Sequence, residues 1–309
     1  MDLMQYGVTH NIEDEVSYRF VAYLIGLLLA FESMLLLACC CVSMIYGERD
    51  LMSFIVSFAV CLSVSAILLV YGRRKKCAMS RNEGYIVVAL SWVFFSVFGM
   101  VPYLWGGFIP NITDAFFETM SGFTTTGATI LDNIESMPHG ILFWRSLTQW
   151  IGGLGIVCFT IVLLRGFGAS SQMLYLSEAT GVTHNKLCPK TRVMARYIFM
   201  VYILLTAVES ALLMAGGMGL FDAVCHSMTT TATGGFSTKQ ASIAYWHSPY
   251  IEYVVSLFML LSAINFSLYI VACKSKWKQL RKNTELKWFA CSVGLLTLVI
   301  SVVLFLNNG

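Results

Sequence analysis

The sequence is poor in charged residues: Asp, Glu, Lys and Arg make up only 12% of its 309 residues, whereas 57% are apolar. A soluble globular domain carries roughly 25% charged residues. This chain therefore has too little charge to cover a surface that faces water on all sides. The shortage excludes an ordinary soluble enzyme, a nucleic-acid-binding protein and a disordered tail, and it favours a membrane protein with several crossings.

Metal-ligand spacing is also lacking. The chain has ten cysteines, but no two form a C-x-x-C pair, and three consecutive ones, Cys39, Cys40 and Cys41, lie inside an apolar run. Zinc and iron–sulfur sites need ligands at defined spacings. We therefore expect no transition-metal site and interpret the thiols as small apolar side chains in lipid or in the core.

Long apolar runs are the main feature that is present. A helix that crosses the hydrocarbon core of a bilayer needs about 20 mostly apolar residues. Trp and Tyr stand near the ends of most runs, as is typical of membrane interfaces. Seven runs qualify: residues 20–46, 51–71, 85–108, 141–164, 197–218, 250–273 and 288–306. We predict an all-α integral membrane protein with seven transmembrane helices.

Basic residues are absent from some connections and concentrated in others. Of the 20 Lys and Arg residues, 16 lie within residues 73–81, 165–196 and 274–287, whereas residues 82–144 have none. Because Lys- and Arg-rich connections stay in the cytoplasm, we expect these three to face inward. The N-terminus is then cytoplasmic, and Gly309, after seven crossings, lies outside.

Two of the outward connections share one design. Each has an acidic residue at a helix-start signal, a short apolar stretch, and then a string of Thr, Gly and Ser, at residues 121–129 and 229–238. Self-similarity at a fixed spacing indicates repeated units. The two connections align without gaps at one constant offset, which pairs Asp114 with Asp222, Ala115 with Ala223, Met120 with Met228, Thr125 with Thr233 and Gly127 with Gly235.

A short helix that re-enters the membrane and ends in such a string leaves backbone carbonyls without helical partners. Backbone of that kind is tolerated at membrane depth only inside protein or along a water-filled cavity. Carbonyl oxygens there can replace the hydration shell of a potassium ion. A flexible outer loop is the simpler interpretation of one string, but two at matched positions favour two re-entrant pore loops.

Several strings resemble the Trk/Ktr/HKT potassium-transporter superfamily, and specifically its bacterial TrkH-type subunits. In the first unit they are TDAFFE from Thr113, TTTGAT from Thr124 and QWIGGLGI from Gln149; in the second they are GGFST from Gly234, and Asn265. The resemblance runs from the first span to the last residue. It implies an N-terminal two-helix hairpin (1–81), a first pore repeat (82–196), a second pore repeat (197–287) and the first helix of an incomplete third (288–309).

The resemblance implies potassium uptake across the bacterial inner membrane, with no enzymatic activity, cofactor or nucleic-acid partner. The pore of such proteins has four span–loop–span repeats, each giving one Gly-containing strand to the selectivity filter. Gly at the key position goes with potassium selectivity in the family, and Ser with sodium. When the family's filter positions are transferred to this sequence, the resemblance implies that potassium is bound by backbone carbonyls of Thr125, Thr126, Gly127, Thr233, Gly234 and Gly235. The family further implies a homodimer gated by a cytoplasmic nucleotide-binding subunit of the TrkA type.

Two alternatives stay open at this point. With two full repeats and the opening helix of a third, the chain would supply two of the four strands, so it could be a truncated, non-conducting half-subunit that needs a separately encoded second half. Glu32 and Glu209 lie inside predicted spans, where carboxylates are costly and often functional. They would either line the pore or make contacts between helices.

Overall fold

A computed structural model describes residues 16–72, 81–166, 191–273 and 277–308, and the regular elements in those ranges are helical. Helices α1 (Tyr18–Tyr46) and α2 (Leu51–Tyr71) pack against each other along their length. Gly26 brings them close, because a Cβ there would lie 3.1 Å from the backbone nitrogen of Leu69. The Ser65 hydroxyl donates to the Gly26 carbonyl (2.7 Å), which fixes the two helices at this crossing.

The third predicted span is interrupted at Met100. Helix α3 (Arg81–Gly99) ends before Met100, and a five-residue helix α4 (Val101–Trp105) follows it. Pro102 accounts for the break, because it has no N–H to donate to the preceding turn. The run predicted over residues 85–108 is therefore two helices, and helix α5 (Ile112–Phe123) begins after the connection.

Helix α6 (His139–Gly166) is central to the packing, since it contacts α1, α3 and α5 as well as the next two helices of the described chain. Those two are α7 (Thr191–Ala215) and α8 (Leu220–Thr231). The indole N–H of Trp144, which is fully buried, donates to the Gly99 carbonyl at the end of α3 (2.9 Å). This bond ties α6 to the end of α3, next to the interruption of the third span.

The last part of the described chain has shorter helices. A 3-10 turn (Ser242–Trp246) precedes α9 (Pro249–Ala263). The remaining helices are α10 (Phe266–Cys273), α11 (Trp277–Lys282) and α12 (Thr284–Asn308).

The run predicted as one helix over residues 250–273 is broken between α9 and α10. Ile264 has an extended backbone, with φ of −73° and ψ of 138°. The Asn265 carbonyl accepts the first bond of α10, from the N–H of Leu268 (2.9 Å). Asn is a favoured residue at helix starts and a poor one within helices, which explains the interruption.

Five helical stretches in the described ranges are long and apolar enough to cross a membrane: Tyr18–Tyr46, Leu51–Tyr71, Asn82–Trp105, Ala195–Ala215 and Thr284–Asn307. They confirm an all-helical membrane protein, while the count of seven crossings stays a prediction. The predicted cytoplasmic N-terminus (residues 1–15) and much of the three basic connections (73–80, 167–190 and 274–276) lie outside the described residues.

Candidate functional site

Helices α5 and α8 begin and end at positions that correspond in the alignment of the two units. Each has 12 residues and an acidic residue in its first turn, Asp114 in α5 and Asp222 in α8. A carboxylate in the first turn is stabilised by the positive end of the helix dipole. The two units therefore share helix length and the position of their first-turn charge.

The backbone follows the same path after each helix, in residues 124–129 (the first segment) and residues 232–237 (the second segment). A positive φ costs a residue with a Cβ about 1–2 kcal/mol, so a threonine in that conformation is held there by its surroundings. Both segments contain one threonine and one glycine with a positive φ, again at aligned positions: Thr125 (55°), Gly127 (75°), Thr233 (56°) and Gly235 (92°).

Each segment is hydrogen-bonded to the last turn of the helix before it. The N–H of Thr126 donates to the Ser121 carbonyl (3.0 Å), and the N–H of Gly234 donates to the Thr229 carbonyl (2.9 Å). In the first unit, the Ser121 hydroxyl also donates to the carbonyl of Ala128 (2.6 Å). The segments are thus folded back against their own helices in matching ways.

The two segments meet at Gly127. A Cβ built on Gly127 would lie 2.0 Å from the carbonyl oxygen of Gly234, and a Cβ on Gly234 would lie 2.4 Å from the amide carbon of Gln149. Within the described part of the chain, nothing lies within 4 Å of a Cβ built on Gly235. The backbone angle therefore favours glycine at both 127 and 235, and the contact with Gly234 requires it at 127.

A polar side chain on each short helix holds the residue that ends the segment. In the first unit, the Thr129 hydroxyl donates to Glu118 (2.9 Å), which also accepts from the N–H of Ile130 (3.0 Å). In the second, Ser237 Oγ lies 3.3 Å from Nε2 of His226. Glu118 and His226 are aligned in the two units, so the duplication extends to the side chains that support the segments.

Arg145 on α6 connects the two units, and it is not among the site residues predicted from the sequence. Its side chain is 1% exposed. The guanidinium donates to Glu118 (2.9 Å), to the Thr129 hydroxyl (3.1 Å) and to the Ser237 carbonyl (3.0 Å). It also lies over the ring of Phe236, 4.2 Å from the centroid, at a distance suited to a cation–π contact.

Gln149 lies one helical turn beyond Arg145 and also reaches the second segment. Its Oε1 accepts a hydrogen bond from the backbone N–H of Phe236 (3.0 Å), and the side chain is fully buried. Gln149 belongs to a string that carries the family resemblance, whereas Arg145 does not. The signal for Arg145 was present in the sequence, where it is the one basic residue of the apolar run 141–164.

All six predicted site residues lie in the two segments, which the structure brings together at Gly127 and Gly234. Their role as ion ligands stays a prediction. Glu32 and Glu209 are fully buried. The Cys61 thiol of α2 lies 4.0 Å from the Glu32 carboxylate of α1, which places this group between two helices.

The five membrane-length helices and the duplicated helix-and-segment unit define a polytopic membrane protein with a two-part loop site. The TrkH family model, described as a cation transport protein, matches residues 50–307. The chain belongs to the TrkH family of cation transport proteins, as the sequence resemblance predicted.

Individual relatives agree with the family model. The Trk system potassium uptake protein TrkH of Salmonella typhimurium is 35% identical over 295 residues, which cover 94% of this chain and 61% of the relative. The Trk system potassium uptake protein TrkG of Escherichia coli K12 is 34% identical over 275 residues, 88% of this chain and 56% of the relative.

Among solved structures, the crystal structure of the potassium transporter TrkH from Vibrio parahaemolyticus has a TM-score of 0.82 and 34% identity. The match covers 94% of this chain and 60% of that one. The chain thus spans about three-fifths of the length of these relatives. None of these findings favours a non-conducting remnant over a transport protein.

Proposed function

We propose that this chain contributes to a potassium-selective pathway across a bacterial inner membrane, and that the ion is coordinated by backbone carbonyls of the two segments. The coordinating residues in this proposal are Thr125, Thr126, Gly127, Thr233, Gly234 and Gly235. The observation that carries it is the repeated backbone, in which two aligned 12-residue helices are followed by the same pattern of positive φ angles.

Electrostatics support a cation at this place. The carboxyl end of a helix carries a partial negative charge, and both segments leave α5 and α8 from that end. Carbonyl oxygens that no helix uses can replace the water around potassium. The guanidinium of Arg145 beside the segments is paired with Glu118 at 2.9 Å, so it does not leave an uncompensated positive charge there.

Helix length supports a re-entrant placement of α5 and α8. Twelve residues at 1.5 Å each make a helix of about 18 Å, which is little more than half of a hydrocarbon core of about 30 Å. In this proposal the two segments lie inside the membrane and return to the outer side. Helix α6 and the α9–α10 pair then provide the two crossings that complete the seven, with the N-terminus in the cytoplasm and Gly309 outside.

The wider organisation follows the relatives. The names of the matched proteins refer to potassium uptake, which supports potassium as the transported ion here. We assign residues 1–81 to an N-terminal hairpin, 82–196 and 197–287 to two pore repeats, and 288–309 to the start of a third. A homodimer of pore subunits and a cytoplasmic subunit of the TrkA type complete the proposed assembly.

Two glycines make a matched test of the proposed site. Gly235 and Gly217 both have φ of 92°, and in the described chain neither has an atom within 4 Å of a built Cβ. Gly217 lies outside both segments, between α7 and α8. A serine at either position therefore causes similar backbone strain, and only the one at 235 disturbs the proposed coordination.

To test the proposal, the gene for this protein is expressed together with a TrkA-type subunit in a bacterium that lacks its own potassium uptake systems. We expect the wild type and Gly217→Ser to restore growth on limiting potassium, and Gly235→Ser to need more potassium and to be inhibited by added sodium. Equal growth of the two variants at every potassium and sodium concentration would contradict the assignment of Gly235. No growth above an empty vector with the wild type would contradict the function itself.

A further inference from the structure

Arg145 and Gln149 lie on one face of α6, one helical turn apart, and both contact the second segment. Arg145 reaches the Ser237 carbonyl at 3.0 Å, and Gln149 accepts from the N–H of Phe236 at 3.0 Å. Consecutive residues of the second segment are thus held by one helix of the first unit.

The same face of α6 also holds the first segment. The Arg145 guanidinium donates to the hydroxyl of Thr129, the last residue of that segment (3.1 Å). The amide of Gln149 lies 3.6 Å from the Cβ position of Gly127 and fills the space beside Gly234. We propose that Arg145 and Gln149 are positioning residues that set the spacing between the two segments and thereby the ion selectivity of the pathway.

Guanidinium chemistry suits this role better than an ammonium group would. Arg presents several N–H groups in a fixed plane, whereas Lys presents a compact charge on a flexible stem. Here the planar group reaches Glu118, Thr129 and Ser237 at once. A lysine could keep the pair with Glu118 but could not bridge both segments in the same geometry.

The arrangement occurs in one of the two units. Helix α9, which follows the second segment, contains no arginine, lysine or glutamine. No side chain of α9 can therefore take the part of Arg145 or Gln149. The relative position of the two segments therefore depends on the first unit's α6, although the segments themselves are duplicated.

The test measures potassium over sodium selectivity, so it rests on the proposed function. Rubidium uptake in competition with sodium is followed in potassium-uptake-deficient cells for Arg145→Lys and Gln149→Leu, with the amount of each protein in the membrane measured in parallel. Arg145→Lys keeps the charge, and Gln149→Leu keeps the approximate size. Ser146→Ala is the matched control, because the Ser146 hydroxyl is buried on the same helix and donates to the Leu142 carbonyl of α6 (3.1 Å).

We expect Arg145→Lys and Gln149→Leu to reach the membrane in normal amounts and to lose selectivity by about tenfold, the scale of one lost buried hydrogen bond. Ser146→Ala should keep wild-type selectivity. Unchanged selectivity in both variants, or the absence of both from the membrane, would overturn the inference in favour of a purely structural role. Lack of rubidium uptake by the wild type would instead contradict the proposed function, and the inference would fall with it.

Discussion

Replacement of Glu118 by Gln should destabilise the protein strongly. Glu118 and Arg145 are 0% and 1% exposed, and their closest atoms are 2.9 Å apart. At an effective dielectric constant of about 20, two unit charges at that distance attract by about 6 kcal/mol, most of which offsets the cost of taking both ions out of water. Removing one partner leaves the other charge buried and uncompensated, and such changes cost about 3–5 kcal/mol.

The assay is thermal unfolding of the purified protein in detergent, followed by the loss of its monodisperse elution peak. Glu118→Gln should lower the apparent Tm by roughly 5–10 °C, given the usual scaling of Tm with free energy. The double variant Glu118→Gln/Arg145→Gln should be more stable than Glu118→Gln alone, because the unpaired charge is removed. The coupling of this pair would be refuted if the changes in Tm caused by Glu118→Gln and by Arg145→Gln simply add up in the double variant. It would also be refuted if the Tm of Glu118→Gln lies within about 1 °C of that of the wild type.

Two further predictions concern the segments and the topology. Gly127→Ala should reduce the amount of folded protein far more than Gly235→Ala. A Cβ at position 127 would lie 2.0 Å from the Gly234 carbonyl oxygen, whereas a Cβ at position 235 meets no described atom within 4 Å. Similar yields of the two variants on fluorescence-detected gel filtration would contradict this prediction. A membrane-impermeant thiol reagent added to intact cells should label Glu135→Cys, which is exposed, and should not label Lys75→Cys in the predicted cytoplasmic connection. Labelling of Lys75→Cys in intact cells would reverse the proposed orientation.

Local sequence patterns predicted those features that depend on neighbouring residues. The gapless alignment of the two outward connections predicted two related short helices with Thr/Gly strings, and α5 and α8 have corresponding bounds. The strings TDAFFE and QWIGGLGI predicted the family. Both predictions rest on residues that are close together in the chain, where periodicity and spacing carry the information.

Features that depend on distant contacts were missed. Arg145 is 27 residues from Glu118 and 92 from Ser237 in sequence, so its role as a bridge between segments appears only once α6 is packed against both α5 and α8. The breaks at Pro102 and Asn265 were hidden because hydropathy averages over a run and does not register one lost helical hydrogen bond. The difference between Gly127 and Gly235 likewise depends on which backbone lies opposite each one.

In the proposed function, backbone carbonyls of the two segments select potassium. The most direct test of this selectivity is to measure the fluxes of potassium and sodium through the purified protein in liposomes, with equal outward gradients of the two salts. We expect a potassium flux well above the sodium flux in the wild type and in Gly217→Ser, and a much smaller ratio of potassium to sodium flux in Gly235→Ser. Equal fluxes of the two ions in the wild type, or an unchanged ratio in Gly235→Ser, would contradict it.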